Sequence, residues 1–355
     1  MARFIFNGGT LGNEVLGIQR YTVELLAEID RIAMPGEVEV AVPDYSSYGD
    51  GFKNISVARV RCSGAFARSN LVWSQVRFPD HVRKTGGIGV DTLLAIPLRD
   101  CDVVTVFDSI NERHPENYAG VKPRLGLSYY LYKVKKRMGN AKVIITDSHS
   151  AKEELLHFYG GNPSRIRVVT CGWQHFQRVT QDDSILKRLG IKRGCYFFSL
   201  GSRLRHKNFR WVLAAARQNP STSFVVTGTN SFGAYDLNQG MTVPTNVTFT
   251  GYLTDGEVKA LMAHCKAFIQ PSLSEGFGIP PLEAMSVGAR CIVSDIPVFH
   301  EIYRDSVWYM DPMQYDGIEL DAIMAEPLTG GNEEVLALYS WRESARTLLD
   351  ALREL

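Results

Sequence analysis

Two successive doubly wound α/β domains are what this sequence predicts, and three observations predict them. Strand-like and helix-like apolar runs alternate along the chain, the grammar of parallel sheets joined by crossover helices. After a stretch of mixed composition from Cys171 to Gly194 the alternation begins afresh. At 355 residues the chain is long enough for two domains of ordinary size.

In the first half, 3–6 reads as a strand, 18–32 as an amphipathic helix and 38–42 as a second strand. A helix over 71–82 follows, then a strand over 103–107, a helix over 125–138, a strand over 143–146, a helix over 148–158 and a strand over 166–169. Gly86-Gly87-Ile88-Gly89 precedes an apolar run instead of linking a strand to a helix, so it reads as a turn. In the second half, strands are expected at 196–200, 224–227, 247–250 and 267–270, with helices at 209–218 and 255–264. The linker falls near 172–179. The tail, 334–355, reads as one amphipathic helix with Leu336, Leu338, Trp341, Ala345, Leu348, Leu349 and Leu352 apolar. The division is therefore 1–172, 173–333 and a terminal helix over 334–355. There is no internal repeat and no low-complexity segment.

Hydrophobic residues at 45% and charged residues at 22% describe a globular chain, and a net charge of +1 argues against nucleic acid as a general partner. No apolar run approaches the ~20 residues that cross a bilayer, and the first residues lack the apolar core of a signal peptide. Cysteines 62, 101, 171, 195, 265 and 291 are scattered singly. Buried reduced thiols are expected, Cys195 and Cys291 among them, which points to the cytoplasm.

The most informative segment is Ser272-Leu-Ser-Glu275-Gly276-Phe277-Gly278-Ile279-Pro-Pro-Leu-Glu283-Ala-Met. It follows the strand at 267–270, and Pro280-Pro281 opens a helix that Gly288 can close. In an open parallel sheet such a strand-to-helix turn faces the ligand crevice. The turn brings backbone N–H groups at Gly276, Phe277 and Gly278. Glu275 on the turn and Glu283 in the first helical turn are placed to accept hydrogen bonds from vicinal hydroxyls. A plain dipole-complementing glutamate accounts for Glu283 but not for Glu275 or the Gly-Phe-Gly between them.

This spacing resembles the Glu-x7-Glu signature of retaining GT-B glycosyltransferases, especially family 4. The resemblance is specific from Phe197 to Asp311, moderate from Val103 to Val169 and thin between Pro43 and Ile96. It implies two Rossmann-like domains facing a cleft, with the tail helix returning to the first. The first domain would take the acceptor, the second a nucleotide sugar.

Gly201-Ser-Arg203-Leu-Arg205-His206-Lys207-Asn208 joins the first strand of the second half to its helix, with Asn208 as candidate cap. Cations beside a helix N-terminus make a diphosphate site. Relatives show Gly-x5-Lys here, which Gly201 and Lys207 keep, while Ser202 stands where an arginine is common. Lys207 is the firmest member, and either Arg203 or Arg205 joins it. On the opposite lip, Gly8-Gly9-Thr10 and Gly17-Ile-Gln-Arg-Tyr21 match a Gly-rich loop and helix start of the family, where glycines let the donor approach. Gly228 and the Gly251-Tyr252-Leu253 turn are candidates for the base, or ordinary turns.

Asp108 ends a strand of the first half and is expected to project into the cleft. Many relatives read His-Asp here, and this chain has Phe107 in the histidine's place. Loss of that hydrogen bond, or an apolar face suited to a deoxysugar, are the two consequences weighed. Glu275 would hold the donor sugar, Glu283 the ribose, and Lys207 with an arginine the diphosphate, so that neither metal nor cofactor is expected. The expected activity is transfer of a hexose or deoxyhexose from GDP-mannose, dTDP-rhamnose or a UDP-hexose to a saccharide, lipid-linked acceptor, in cell-surface polysaccharide assembly. The alternative is a catalytically degenerate nucleotide-sugar-binding or scaffolding protein. A Rossmann oxidoreductase is disfavoured because no Gly-x-Gly-x-x-Gly turn precedes a ribose-binding acid. Between Lys122 and Lys142, seven cations (Lys122, Arg124, Lys133, Lys135, Lys136, Arg137 and Lys142) with Tyr129, Tyr130 and Tyr132 and no acid suggest a patch for an anionic membrane face.

Overall fold

The computed structural model describes residues 3–12, 17–49, 51–118, 120–201, 204–228 and 242–355. The chain forms two compact units, Met1–Gly172 with Ser340–Leu355, and Trp173–Tyr339.

In the first unit, β1 (Phe4–Asn7), β2 (Val38–Pro43), β3 (Ser56–Val60), β4 (Ile88–Asp91), β5 (Val103–Thr105), β6 (Val143–Thr146) and β7 (Ile166–Val168) form a sheet of order β3-β2-β1-β4-β5-β6-β7. Every pairing is parallel. Strands such as Phe4-Ile5-Phe6 are near-continuous apolar runs because helices cover both faces of such a sheet.

Two strands of this sheet escaped the sequence pattern. β3 is an edge strand with a half-exposed side, so its apolar period is weak. β4 contains Gly89, and Gly86 to Gly89 is therefore not simply a turn. A Cβ on Gly87 would stand 2.6 Å from the Arg3 carbonyl oxygen, and one on Gly89 2.6 Å from that of Asp100. Close backbone approach, not a chain reversal, is what those glycines serve. The expected helix over 71–82 is three joined pieces, Asn70–Val72, a π-helical turn Trp73–Arg77, and Phe78–Thr85.

In the second unit, β8 (Tyr196–Ser199), β9 (Ser223–Val226), β10 (Val247–Phe249), β11 (Ala267–Gln270), β12 (Cys291–Ser294) and β13 (Trp308–Met310) form a parallel sheet of order β10-β9-β8-β11-β12-β13. The chain runs outward from β8 to β10 and then crosses back to lay β11 on the other side of β8. The strand order reverses between β8 and β11, where open α/β sheets bind ligands.

The tail is not one helix. Asn332–Leu338 belongs to the second unit, Tyr339 is extended, and Ser340 caps a separate helix, Trp341–Arg353, by accepting from the Glu343 N–H at 3.1 Å. That last helix lies in the first unit, where Arg353 meets Glu37 through two hydrogen bonds of 2.7 and 2.9 Å. All six cysteines are free thiols, but Cys195 is exposed at the mouth of β8, whereas Cys291 is buried. Among the described residues no helix is long and apolar enough to cross a membrane.

Candidate active site

The turns after β8 and β11 are brought side by side because those strands pair directly, Ala267 with Phe197 and Phe268 with Phe198. The first turn, Arg205–Lys207, is a single 3-10 turn, and Leu273 of the second donates its backbone N–H to the His206 carbonyl at 2.6 Å. Lys207 Nζ meets both oxygens of Glu275, at 2.7 and 2.8 Å. Ser272 Oγ and Gln270 Nε2 donate to the same carboxylate at 2.6 and 2.8 Å. The Glu275 side chain is 8% exposed and that of Lys207 28%.

Burial by itself would raise the Glu275 carboxyl. The Lys207 ammonium, its hydrogen bond, the Ser272 hydroxyl and His206 outweigh that and hold it below the ordinary glutamate value. The result is a fixed anion paired with a cation at the switch point. Gln270 and Ser272 had no individual signal in the sequence, although both lie within five positions of Glu275.

Gly278 shows why the motif needs glycine. Its φ of +92° is left-handed, and a Cβ there would stand 2.5 Å from the Phe299 ring. The Tyr303 hydroxyl donates to its carbonyl. Gly276 and Phe277 are buried, and the Phe277 ring stands edge-on to Tyr339 at 5.2 Å.

The helix then begins at Ile279, ahead of the prolines, and runs to Ser286. Glu283 is therefore past the first turn, contrary to the sequence expectation, and no acidic residue complements the helix dipole there. Its carboxylate instead meets His175 Nε2 at 2.7 Å. No sequence signal pointed to His175, which is 108 positions away.

Asn208 does not cap the following helix through its side chain, as was expected. It sits at φ 53°, ψ 44°, and its side chain turns to the Pro312 carbonyl and the Tyr315 hydroxyl, so it ties down the segment after β13. Arg205 is half-buried on the Lys207 turn, while Arg203 lies outside the described residues. Gly228 and Gly251 pair with each other through two backbone hydrogen bonds of 2.7 and 2.8 Å. Tyr252 beside them is 91% exposed, and Leu253 is half-buried.

Several first-unit candidates pack against their own chain. A Cβ on Gly8 would meet Val42 at 2.6 Å and one on Gly9 would meet the Trp73 ring at 2.2 Å, so these glycines admit neighbouring side chains. Gly17 opens its helix in open space. Asp108 accepts from the Ile110 N–H at 3.0 Å, which closes a turn at the strand's end. Phe107, 8% exposed, packs edge-on to Tyr21 at 4.7 Å, and Tyr21 in turn against Trp341 at 5.8 Å. The ring is a core residue, which removes the argument for a deoxysugar.

Residues 182–320 match the family described as glycosyl transferases group 1. The chain carries a glycosyl transferase group 1 domain. It is 25% identical over 325 residues to the O-antigen chain mannosyltransferase RfbU of Salmonella typhimurium, an alignment covering 87% of this chain and 86% of that one. Sucrose-phosphate synthase from Thermosynechococcus elongatus superposes with a TM-score of 0.74 at 16% identity, over 100% of this chain and 99% of that one. Anabaena Alr3699/HepE, solved in complex with UDP-glucose, gives 0.69 at 17% identity over 100% of both chains. The two likenesses are of fold: the two parallel-sheet domains of this chain have the GT-B fold. The match from 182 to 320 takes in β8 to β13, the Lys207 turn and both glutamates.

Proposed function

We propose that the protein transfers a hexose from a nucleotide sugar to a saccharide acceptor, lipid-linked, with retention at the anomeric carbon and without a metal, in cell-surface polysaccharide synthesis. The Lys207–Glu275 pair at the β8/β11 switch point carries the reading. An ammonium has three N–H donors, and Glu275 engages it through two contacts. Capacity remains for a phosphate oxygen, and Arg205 on the same turn adds a second cation. Glu275, held ionised, would accept hydroxyl hydrogen bonds from the sugar and favour positive charge growing at its anomeric carbon.

In the reaction the bond from the anomeric carbon to the diphosphate oxygen breaks. The acceptor oxygen bonds to that carbon on the same face, and its proton passes to the departing diphosphate. No protein base is needed, so the chain's task is orientation and charge. Mannose is the favoured sugar because RfbU is named a mannosyltransferase, and GDP-mannose is therefore the first donor to test, ahead of UDP-hexoses and dTDP-rhamnose.

A thermal-shift panel of GDP, UDP, dTDP and their sugars tests the donor, since a ligand of the folded state raises Tm. GDP and GDP-mannose are expected to give the largest rise. A panel in which no nucleotide moves Tm overturns the proposal. Donor hydrolysis in the absence of acceptor separates the enzyme from a binding-only relative.

The lipid-linked acceptor fits a further part of the proposal, reversible docking on an anionic membrane face. The helix Val121–Asn140 leaves Val121, Leu125, Tyr129 and Tyr132 exposed along with Lys122, Arg124, Lys135 and Lys136. The patch is smaller than the sequence suggested. Lys133 turns inward to the Ala95 carbonyl at 2.7 Å, Arg137 inward to that of Cys101, and Lys142 pairs with Asp102 at 3.3 Å.

A further inference from the structure

We propose that His175 is a positioning residue for Glu283, fixing the carboxylate that receives the nucleotide's ribose. The inference rests on the reading of Glu283 as the ribose acceptor. His175 lies three residues past the end of the first unit, on the short helix Gln174–Gln177. Its side chain is 2% exposed and that of Glu283 12%, and Nε2 to Oε1 is 2.7 Å. An ionised carboxylate only accepts, so His175 donates from Nε2. Among the described residues no other side chain donates to the Glu283 carboxylate.

A carboxylate held through one oxygen keeps the other available to a ligand and cannot rotate away from it. Orienting a functional group through a buried partner in this way is what second-layer hydrogen bonds do at binding sites generally. His175 is itself on a braced segment. Trp173 Nε1 donates to the Leu336 carbonyl at 2.9 Å and Gln174 Nε2 to that of Tyr339 at 3.1 Å. On its other side, Lys259 Nζ donates to the carbonyls of Phe176 and Val179, each at 2.8 Å. The imidazole is thus presented from a backbone fastened before and after it, and Glu283 takes its direction from that frame.

The experiment is a calorimetric titration of GDP and 2′-deoxy-GDP (the UDP pair if UDP binds more tightly) into wild type, Glu283→Gln, His175→Ala, His175→Gln and His175→Ala/Glu283→Gln. A thermal melt of each variant checks folding. Wild type should prefer the ribonucleotide about 10- to 100-fold, the worth of a hydrogen bond to a charged group. His175→Ala should shrink that preference to about 2-fold or less and raise the donor KM with little change in kcat. His175→Gln, which retains an N–H donor, should recover most of it, and the double variant should be no worse than Glu283→Gln because the two act as one unit. A folded His175→Ala or His175→Gln protein that keeps the full preference while Glu283→Gln loses it overturns the inference alone. So does a double variant whose loss is the product of the two single losses. A Glu283→Gln protein that retains the preference overturns the ribose reading itself.

Discussion

Each sheet has one point where its strand order reverses, β1 against β4 in the first unit and β8 against β11 in the second, and the two are finished in opposite ways. At the first, Asn7 Nδ2 donates to Asp91 at 2.8 Å while Asn7 Oδ1 accepts from Trp73 Nε1 at 2.7 Å and from the Gly9 N–H at 3.0 Å. The other Asp91 oxygen accepts from the Ile96 N–H at 2.7 Å. Burial pushes the Asp91 carboxyl up, and no cation bonds to it directly among the described residues. At the second, the carboxylate is met by a lysine that is itself partly exposed, and its carboxyl is held down. One crevice is closed by its own side chains. The other keeps a charge pair whose carboxylate is buried and whose lysine reaches solvent, where a ligand can meet it. Fold places both crevices, and residue chemistry distinguishes them.

The largest expected effect is at the second. Glu275→Gln should lower transfer by roughly 10²–10³-fold, about 2.7–4 kcal/mol of barrier, with nucleotide binding retained. Lys207→Met should lose as much and also melt earlier, because it leaves Glu275 buried without its counter-charge. The double variant should recover part of that lost Tm without recovering transfer. Steady-state rates and melting curves check all three, and near-wild-type turnover in either single variant removes the site.

Asn7→Ala is the corresponding change at the first crevice. It strips the partner from the Trp73 N–H and from Asp91, and each buried group left unsatisfied costs about 1–3 kcal/mol. A fall in Tm is expected with the nucleotide-induced rise unchanged. A variant that melts normally but no longer responds to nucleotide would assign the donor to the first unit instead.

The contrast also explains what the sequence could tell. Parallel strands buried on both faces announce themselves as apolar runs, so β1, β8 and β11 were legible, while half-exposed β3 and glycine-bearing β4 were not. Glu275, Lys207 and Glu283 were legible because a motif keeps them at fixed spacing. His175 was not, since its contact with Glu283 is made only by folding. Phe107 and Gly9 show the same limit of the sequence. Each sits at a position where a motif suggests a ligand, and only the packing against Tyr21 or Trp73 shows what fills the space.

Lys135→Glu/Lys136→Glu should reduce co-sedimentation with anionic liposomes at low salt, at about 1 kcal/mol for each cation removed from the leaflet. Lys133→Ala and Arg137→Ala should instead lower Tm, because both side chains are buried and bonded to backbone carbonyls. Equal binding by the double glutamate variant would mean the helix Val121–Asn140 does not carry the interaction.

The smallest effect has opposite signs in the two units. In the first, burial with Asp108 and Glu154 alongside pushes the Glu112 carboxyl from 4.5 up to about 7, where the Tyr159 hydroxyl hydrogen-bonds it. A raised acid favours folding while protonated, so its contribution is complete below about pH 4.5 and is lost as pH climbs through about 7. Glu275 is lowered, so its contribution is present above pH 4.5 and disappears only as pH falls through its depressed value. Glu112→Gln should therefore raise Tm relative to wild type at pH 8 more than at pH 5. Glu275→Gln should lower Tm at pH 8, and that deficit should shrink as the pH is brought well below 4.5. Melting curves of the two variants across that range decide it, since parallel pH profiles would mean that the two carboxyls do not differ in the way their surroundings imply.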